Sequence, residues 1–283
     1  AQLGALTSDH MGALTSGQVA ALTSDQIGTL TSSDLNQLGT QQFSVINTNQ
    51  AQALNSAQIA NLESGDLRAL SSAVIRSLTT EQIDSLTSAQ IAQLTTAQIV
   101  AMTTEQLSNL TTMDLNALNS AQFAAMSTAQ VASLTATPQV AYMVTDDLNS
   151  LTTAQFAALT TAQVSNFSTL QMANLETADL RALSTRNIQV LDSAQLGALT
   201  SAHMAALSSG QVAALTSDQI GTLSTEDINQ FGTQQFSVIN TNQAQALNSA
   251  QIANLESADL RALSSAVIRS LTTEQIDFLT SAQ

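Results

Sequence analysis

The chain has 283 residues and a net charge of −15, built from 21 acidic residues against 6 arginines and no lysine. With no basic face to neutralise phosphates, a nucleic-acid binder is excluded, and without cysteine so are disulfides, zinc–thiolate sites and thiol chemistry. A 44% hydrophobic content is too high for a disordered chain, yet no apolar run approaches a membrane span, so no membrane insertion is expected.

From its start the chain reads as octads. Ala13-Leu14-Thr15-Ser16-Gly17-Gln18-Val19-Ala20 is followed by Ala21-Leu22-Thr23-Ser24-Asp25-Gln26-Ile27-Gly28. With the positions labelled a to h, b is large and apolar from Leu6 and Leu14 to Leu279. Position g is apolar throughout and small only at Ala51 and Ala244. Position d is Ser or Thr, f is mostly Gln with Asp in seven octads, and a and h are mostly Ala. From Leu134 to Met143 the step is nine residues where eight is expected, near Ala136 and Pro138, so the register slips once within 135–143. Beyond it a longer period appears: residues 194–283 repeat residues 1–90 with ten substitutions. The expectation is one continuous octad solenoid over 1–283 with a long internal duplication. The chain begins and ends inside an octad and carries no signal-peptide pattern, as expected of a segment of a longer protein.

Eight residues do not suit one straight helix. At 3.6 residues per turn each octad leaves the apolar stripe about 80° out of phase, so the stripe winds around the axis. A broken helix fits: a turn and a half from e to b, then a sharp turn at c–d. Ser or Thr at d is the expected N-cap, as at Ser16, Ser24, Ser88, Thr96, Ser209 and Ser217. Acids at e and f, such as Asp25, Glu81, Glu105 and Glu274, meet the positive end of the helix dipole. Where c is Thr or Ser, as in Thr15-x-x-Gln18, the c-to-f spacing is also that of a capping box. Residues at g and b lie three apart on one face, so Leu14, Val19, Leu22, Ile27, Leu86, Ile91, Leu94 and Ile99 are expected in the core. One octad buries too little to offset the entropy of ordering it, so octads must stack. The predicted fold is therefore all-α, a solenoid of very short helices. The alternative is a β-solenoid, which the Ser/Thr rows suit but the Ala, Gln and Leu elsewhere do not.

The runs Leu86-Thr87-Ser88-Ala89-Gln90-Ile91-Ala92 and Leu94-Thr95-Thr96-Ala97-Gln98-Ile99 resemble octapeptide repeats of very large secreted bacterial surface proteins of the haem-utilisation and adhesion type. The resemblance implies an elongated, extracellular or cell-surface protein and supplies no catalytic residues. The glycine- and aspartate-rich calcium nonapeptide is absent.

Few residues stand out as chemistry. His10 and His203, equivalent copies at f, read either as haem or metal ligands or as solvent-facing replacements of glutamine; the second reading is favoured. Asp146 and Asp147 read with Asp114 as a cation site or as acids favoured at a helix start, again the second. The aspartates at f, namely Asp34, Asp66, Asp114, Asp147, Asp179, Asp227 and Asp259, are expected to mark corners of the superhelix. Arg68, Arg76, Arg181, Arg261 and Arg269 at h stand near acids, which suggests salt bridges between coils or contacts between molecules. The Ser/Thr rows suggest capping ahead of an ice-binding or glycosylated surface. No catalytic set, cofactor or metal site is expected, and near-identical octads offer no unique cleft. The expected function is a stalk, fibre or sheath that self-associates as a homo-oligomer or filament. The alternative is an adhesin or ligand-binding module for a host surface, glycan or haem.

Overall fold

A computed structural model describes residues 8–281 and 283. It is helical, with no strand among the described residues, so the all-α expectation holds and the β-solenoid does not. Within residues 8–277 each octad forms one helix, from four residues in Ser32–Leu35 to six in Ser88–Gln93. No described residue has a positive φ. The corner between helices is turned instead by two extended residues, as at Leu94 (φ −57, ψ 143) and Thr95 (φ −73, ψ 156). The octad therefore needs neither Gly nor Pro at its corners, and the b residue that makes the corner points inward as core.

The N-cap is the c residue, one position earlier than the sequence reading placed it. Thr15, Thr23, Thr87 and Thr95 are extended, and each side chain accepts from the backbone N–H three residues on. The proposed caps Ser16, Ser24, Ser88, Thr96, Ser209 and Ser217 are instead the first residues of their helices. A residue with helical φ/ψ cannot turn its side chain back onto the free N–H groups, whereas an extended one can. The capping box between c and f does form: Gln18 Oε1 accepts from Thr15 N at 2.8 Å.

The chain divides into two compact units, residues 1–143 and 144–283. In each, a helix packs against the helix three octads away. In the first unit Ser24–Gly28, Thr48–Gln52, Ser72–Ser77, Thr96–Ala101 and Ser120–Ala125 form one such column; in the second, Thr145–Leu148, Thr169–Ala173, Ser193–Gly197, Ser217–Thr222, Thr241–Ala246 and Ser265–Ser270 form another. Three helices thus make one turn of each coil. Residues b and g line its interior: Val19, Ile27, Leu86, Ile91, Leu94 and Ile99 are buried, while Leu14 and Leu22, in the first described turn, are half-buried. The inserted residue is absorbed within Ala136–Val140, where Thr137 is extended (φ −132, ψ 127) and kinks the chain, so that Thr135 caps Gln139 N four residues on rather than three.

Candidate functional site

The feature that organises each unit is the f side chain. In Gln58 the amide oxygen accepts from Asn55 N at 2.7 Å within its own octad. The amide nitrogen donates to Leu30 O at 2.6 Å and Ile27 O at 3.2 Å in the preceding turn. Gln90, Gln98, Gln106, Gln211, Gln219, Gln243 and Gln251 repeat the arrangement at the same separations of 28 and 31 residues. One buried amide thus satisfies a free N–H at the start of one helix and carbonyls at the end of another. Only a group with a donor and an acceptor side by side can do both. At the inserted residue the register lengthens by one and the stitch survives: Gln139 donates to Leu107 O and Leu110 O, 2.8 Å each.

The d hydroxyls, once relieved of capping, bond in the other direction. Ser16 Oγ donates to Gln41 O at 3.3 Å and Ser209 Oγ to Gln234 O at 3.5 Å, 25 residues on. Ser88 Oγ donates to Asp114 Oδ1 at 2.6 Å. The c hydroxyls are therefore engaged in caps, and several of the d serines, such as Ser16, Ser88 and Ser209, in contacts between turns.

His203 is buried, not solvent-facing as its sequence position suggested. Its Nδ1 accepts from Thr200 N at 3.0 Å, so Nε2 carries the proton it donates to Leu175 O at 2.8 Å. Both ring nitrogens are spent on the corner. Its equivalent His10 is exposed.

The aspartates at f fall into two groups. Asp34 and Asp227 accept from the hydroxyl of their own cap, Thr31 or Ser224, at 2.6 Å, and from its N–H at 3.1 Å. Asp114 likewise accepts from Thr111 Oγ1 at 2.6 Å. Asp66, Asp179 and Asp259 follow caps that are Glu63, Glu176 and Glu256, which make no side-chain cap bond, and they are buried. Burial, and then the neighbouring glutamate, pushes Asp66 and Asp179 up to about 6, and Asp259 in the same direction. Asp147, after Val144, is also raised to about 6, by burial and then Asp146. Aspartate at f does not single out corners, because every octad makes one.

The arginines Arg68, Arg76, Arg181, Arg186, Arg261 and Arg269 are exposed. Among the described residues none of them forms an ion pair, so the expected salt bridges between coils are not made. No three His, Asp or Glu side chains among the described residues converge as a metal site, and Asp114, Asp146 and Asp147 form no such cluster. Among the described residues no helix is long and apolar enough to cross a membrane.

The depressions lie between stacked corners and open to solvent. One of about 500 Å³ is bordered by Arg181, Ser208, Ser209, Gly232, Thr233 and Gln234. Two others are equivalent under the long duplication: Gln52, Asn55, Ser56, Thr79 and Glu81 line one of about 280 Å³, and Gln245, Asn248, Ser249, Thr272 and Glu274 one of about 390 Å³.

A family model described as the ALTTAQ repeat matches residues 1–32, 59–96, 85–112, 140–176, 172–209 and 252–283, together most of the chain. No curated protein matches it.

Proposed function

The chain belongs to the ALTTAQ repeat family, and from that premise we propose that it is a structural repeat region of an extracellular or cell-surface protein. It acts as a stalk, fibre or sheath component whose length is set by its number of octads, and copies of it self-associate. The observation that carries this reading is the glutamine stitch. A device repeated at most corners, and kept even across the inserted residue at Gln139, serves the array rather than any one place in it. Six unpaired, exposed arginines on a chain of net charge −15 offer electrostatic contacts between copies.

Negative-stain electron microscopy of the purified chain tests this. Filaments far longer than one chain are expected, and they should dissociate as salt is raised. Isolated particles at all concentrations would leave a spacer role and remove self-association.

A second reading, a ligand-binding module, draws on the two equivalent polar grooves at Asn55–Thr79 and Asn248–Thr272. Their hydroxyl, amide and carboxylate lining suits a glycan. A glycan array on the same preparation separates the two: binding lost on Glu81→Ala plus Glu274→Ala supports the module, and a blank array removes it.

A further inference from the structure

Three octads break the stitching rule in the same way: Leu62-Glu63-Ser64-Gly65-Asp66-Leu67-Arg68-Ala69, Leu175-Glu176-Thr177-Ala178-Asp179-Leu180-Arg181-Ala182 and Leu255-Glu256-Ser257-Ala258-Asp259-Leu260-Arg261-Ala262. At c, glutamate removes the hydroxyl that holds the carboxylates of Asp34 and Asp227. At f, aspartate replaces the amide that elsewhere donates to the b carbonyl 28 residues back. A side chain of this length does reach that carbonyl, since Asn187 Nδ2 donates to Leu159 O at 3.0 Å. For Asp66, Asp179 and Asp259 the carbonyls in the same register are those of Leu38, Leu151 and Phe231.

An ionised carboxylate has nothing to donate there. The charged groups around it do not compensate. The helices packed on Ser64–Ala69, namely Thr40–Phe43 and Ser88–Gln93, carry no charged side chain, and its own octad brings Glu63 and the exposed Arg68. Around Asp179, Thr153–Ala158 carries none, Ser201–Ala206 brings His203, and its own octad Glu176 and exposed Arg181. Around Asp259, Thr233–Phe236 carries none, and its own octad brings Glu256 and exposed Arg261.

We propose that these three corners are proton-operated joints in the coil. With the carboxyl neutral, its O–H donates to the carbonyl of Leu38, Leu151 or Phe231 and closes the corner as glutamine does elsewhere. With the proton released to solvent, a carboxylate faces carbonyl oxygen and a glutamate, and the corner loosens. The direction follows from the raised folded-state pKa. The stabilising contribution is complete below the ordinary value of 3.8 and is lost as pH rises through about 6 at Asp66 and Asp179. Mild acid therefore tightens these joints while neutral pH relaxes them.

The test is a carboxyl carbon NMR titration of the native chain, paired with the variant Asp66→Asn, Asp179→Asn, Asp259→Asn. In the native chain the three carboxyls are expected to titrate well above the ordinary aspartate range. Titration near 3.8 overturns the proposal. In the variant, Asn restores a donor at every pH. Its melting temperature at about pH 7.5 should rise by a few degrees, and the loss of stability between about pH 5 and about pH 7.5 should shrink. Amide exchange at Leu67, Leu180 and Leu260 should slow at neutral pH in the variant alone. A folded variant with an unchanged pH slope refutes the joint, and if the variant does not fold the titration decides.

Discussion

His203 Nε2 lies 2.8 Å from Leu175 O, at the same 28-residue separation that places Gln211 Nε2 3.0 Å from Leu183 O. The imidazole reproduces both functions of the glutamine amide, accepting from its own cap at Nδ1 and donating between turns at Nε2. Replacing His203 with Gln is therefore expected to leave thermal stability within about 0.5 kcal/mol of the parent. His203→Ala strands a buried N–H and a buried carbonyl and should cost about 1–3 kcal/mol. Chemical denaturation of the two variants measures the difference. Equal losses in both would show that the ring packs without stitching.

The same logic predicts an asymmetry at Gln58. Gln58→Glu keeps the acceptor for Asn55 N but replaces the donor to Leu30 O and Ile27 O with a second acceptor, buried and charged. Gln58→Ala removes both and introduces no charge. Glu should be the more damaging at neutral pH, by at least about 1 kcal/mol, and the gap should narrow as acid neutralises it. Urea midpoints at two pH values give the answer. A glutamate variant as stable as the parent at neutral pH would mean that the amide donor is dispensable.

Much of this was legible in the sequence. The octad gave the short helices, and the b and g pattern placed Ile91, Leu94 and Ile99 in the core, where they lie. The stacking of every helix on the third one along was not legible, because octads this alike give no residue a distinctive partner. The meaning of f was only half visible. Dipole arguments favour acids there, yet no octad carries glutamate at f and most carry its amide. That is the signature of a position that must donate as well as accept. The cap was misplaced by one residue because Ser or Thr is constant at d while c varies, with Gly39, Asn47, Glu63 and Val144. The constancy at d reads as capping; where bonds are seen, as at Ser16 and Ser209, it reflects contacts between turns.

That correction is testable on adjacent threonines. Thr95 Oγ1 accepts from Gln98 N at 3.2 Å, whereas Thr96 is exposed in the first turn of the helix. Thr95→Ala should cost about 1 kcal/mol, in the range for a lost N-cap, and Thr96→Ala no more than about 0.5 kcal/mol. Thermal melts of the two single variants distinguish the positions. The reverse order would return the cap to d.

Small residues at h and e separate by what faces them. A Cβ added to Gly28, at h, would stand 2.9 Å from Ala53 O in the next turn. The neighbour is backbone, so it cannot move without shifting a helix. Gly28→Ala is therefore expected to destabilise by about 1–3 kcal/mol, as overpacking does. At Gly17, position e, nothing lies within 4 Å of the added carbon. There alanine removes only the conformational freedom of glycine inside a helix, and Gly17→Ala should stabilise by about 0.5–1 kcal/mol. The duplicated copy provides an internal control. The equivalent of Gly28 is Gly221, whose added Cβ would stand 3.3 Å from Ala246 O, so Gly221→Ala should fall between the other two. Denaturation midpoints in the order Gly17→Ala, Gly221→Ala, Gly28→Ala would establish that the distance between stacked helices limits residue size at h. Stabilisation by Gly28→Ala would instead show that the turns have room to part.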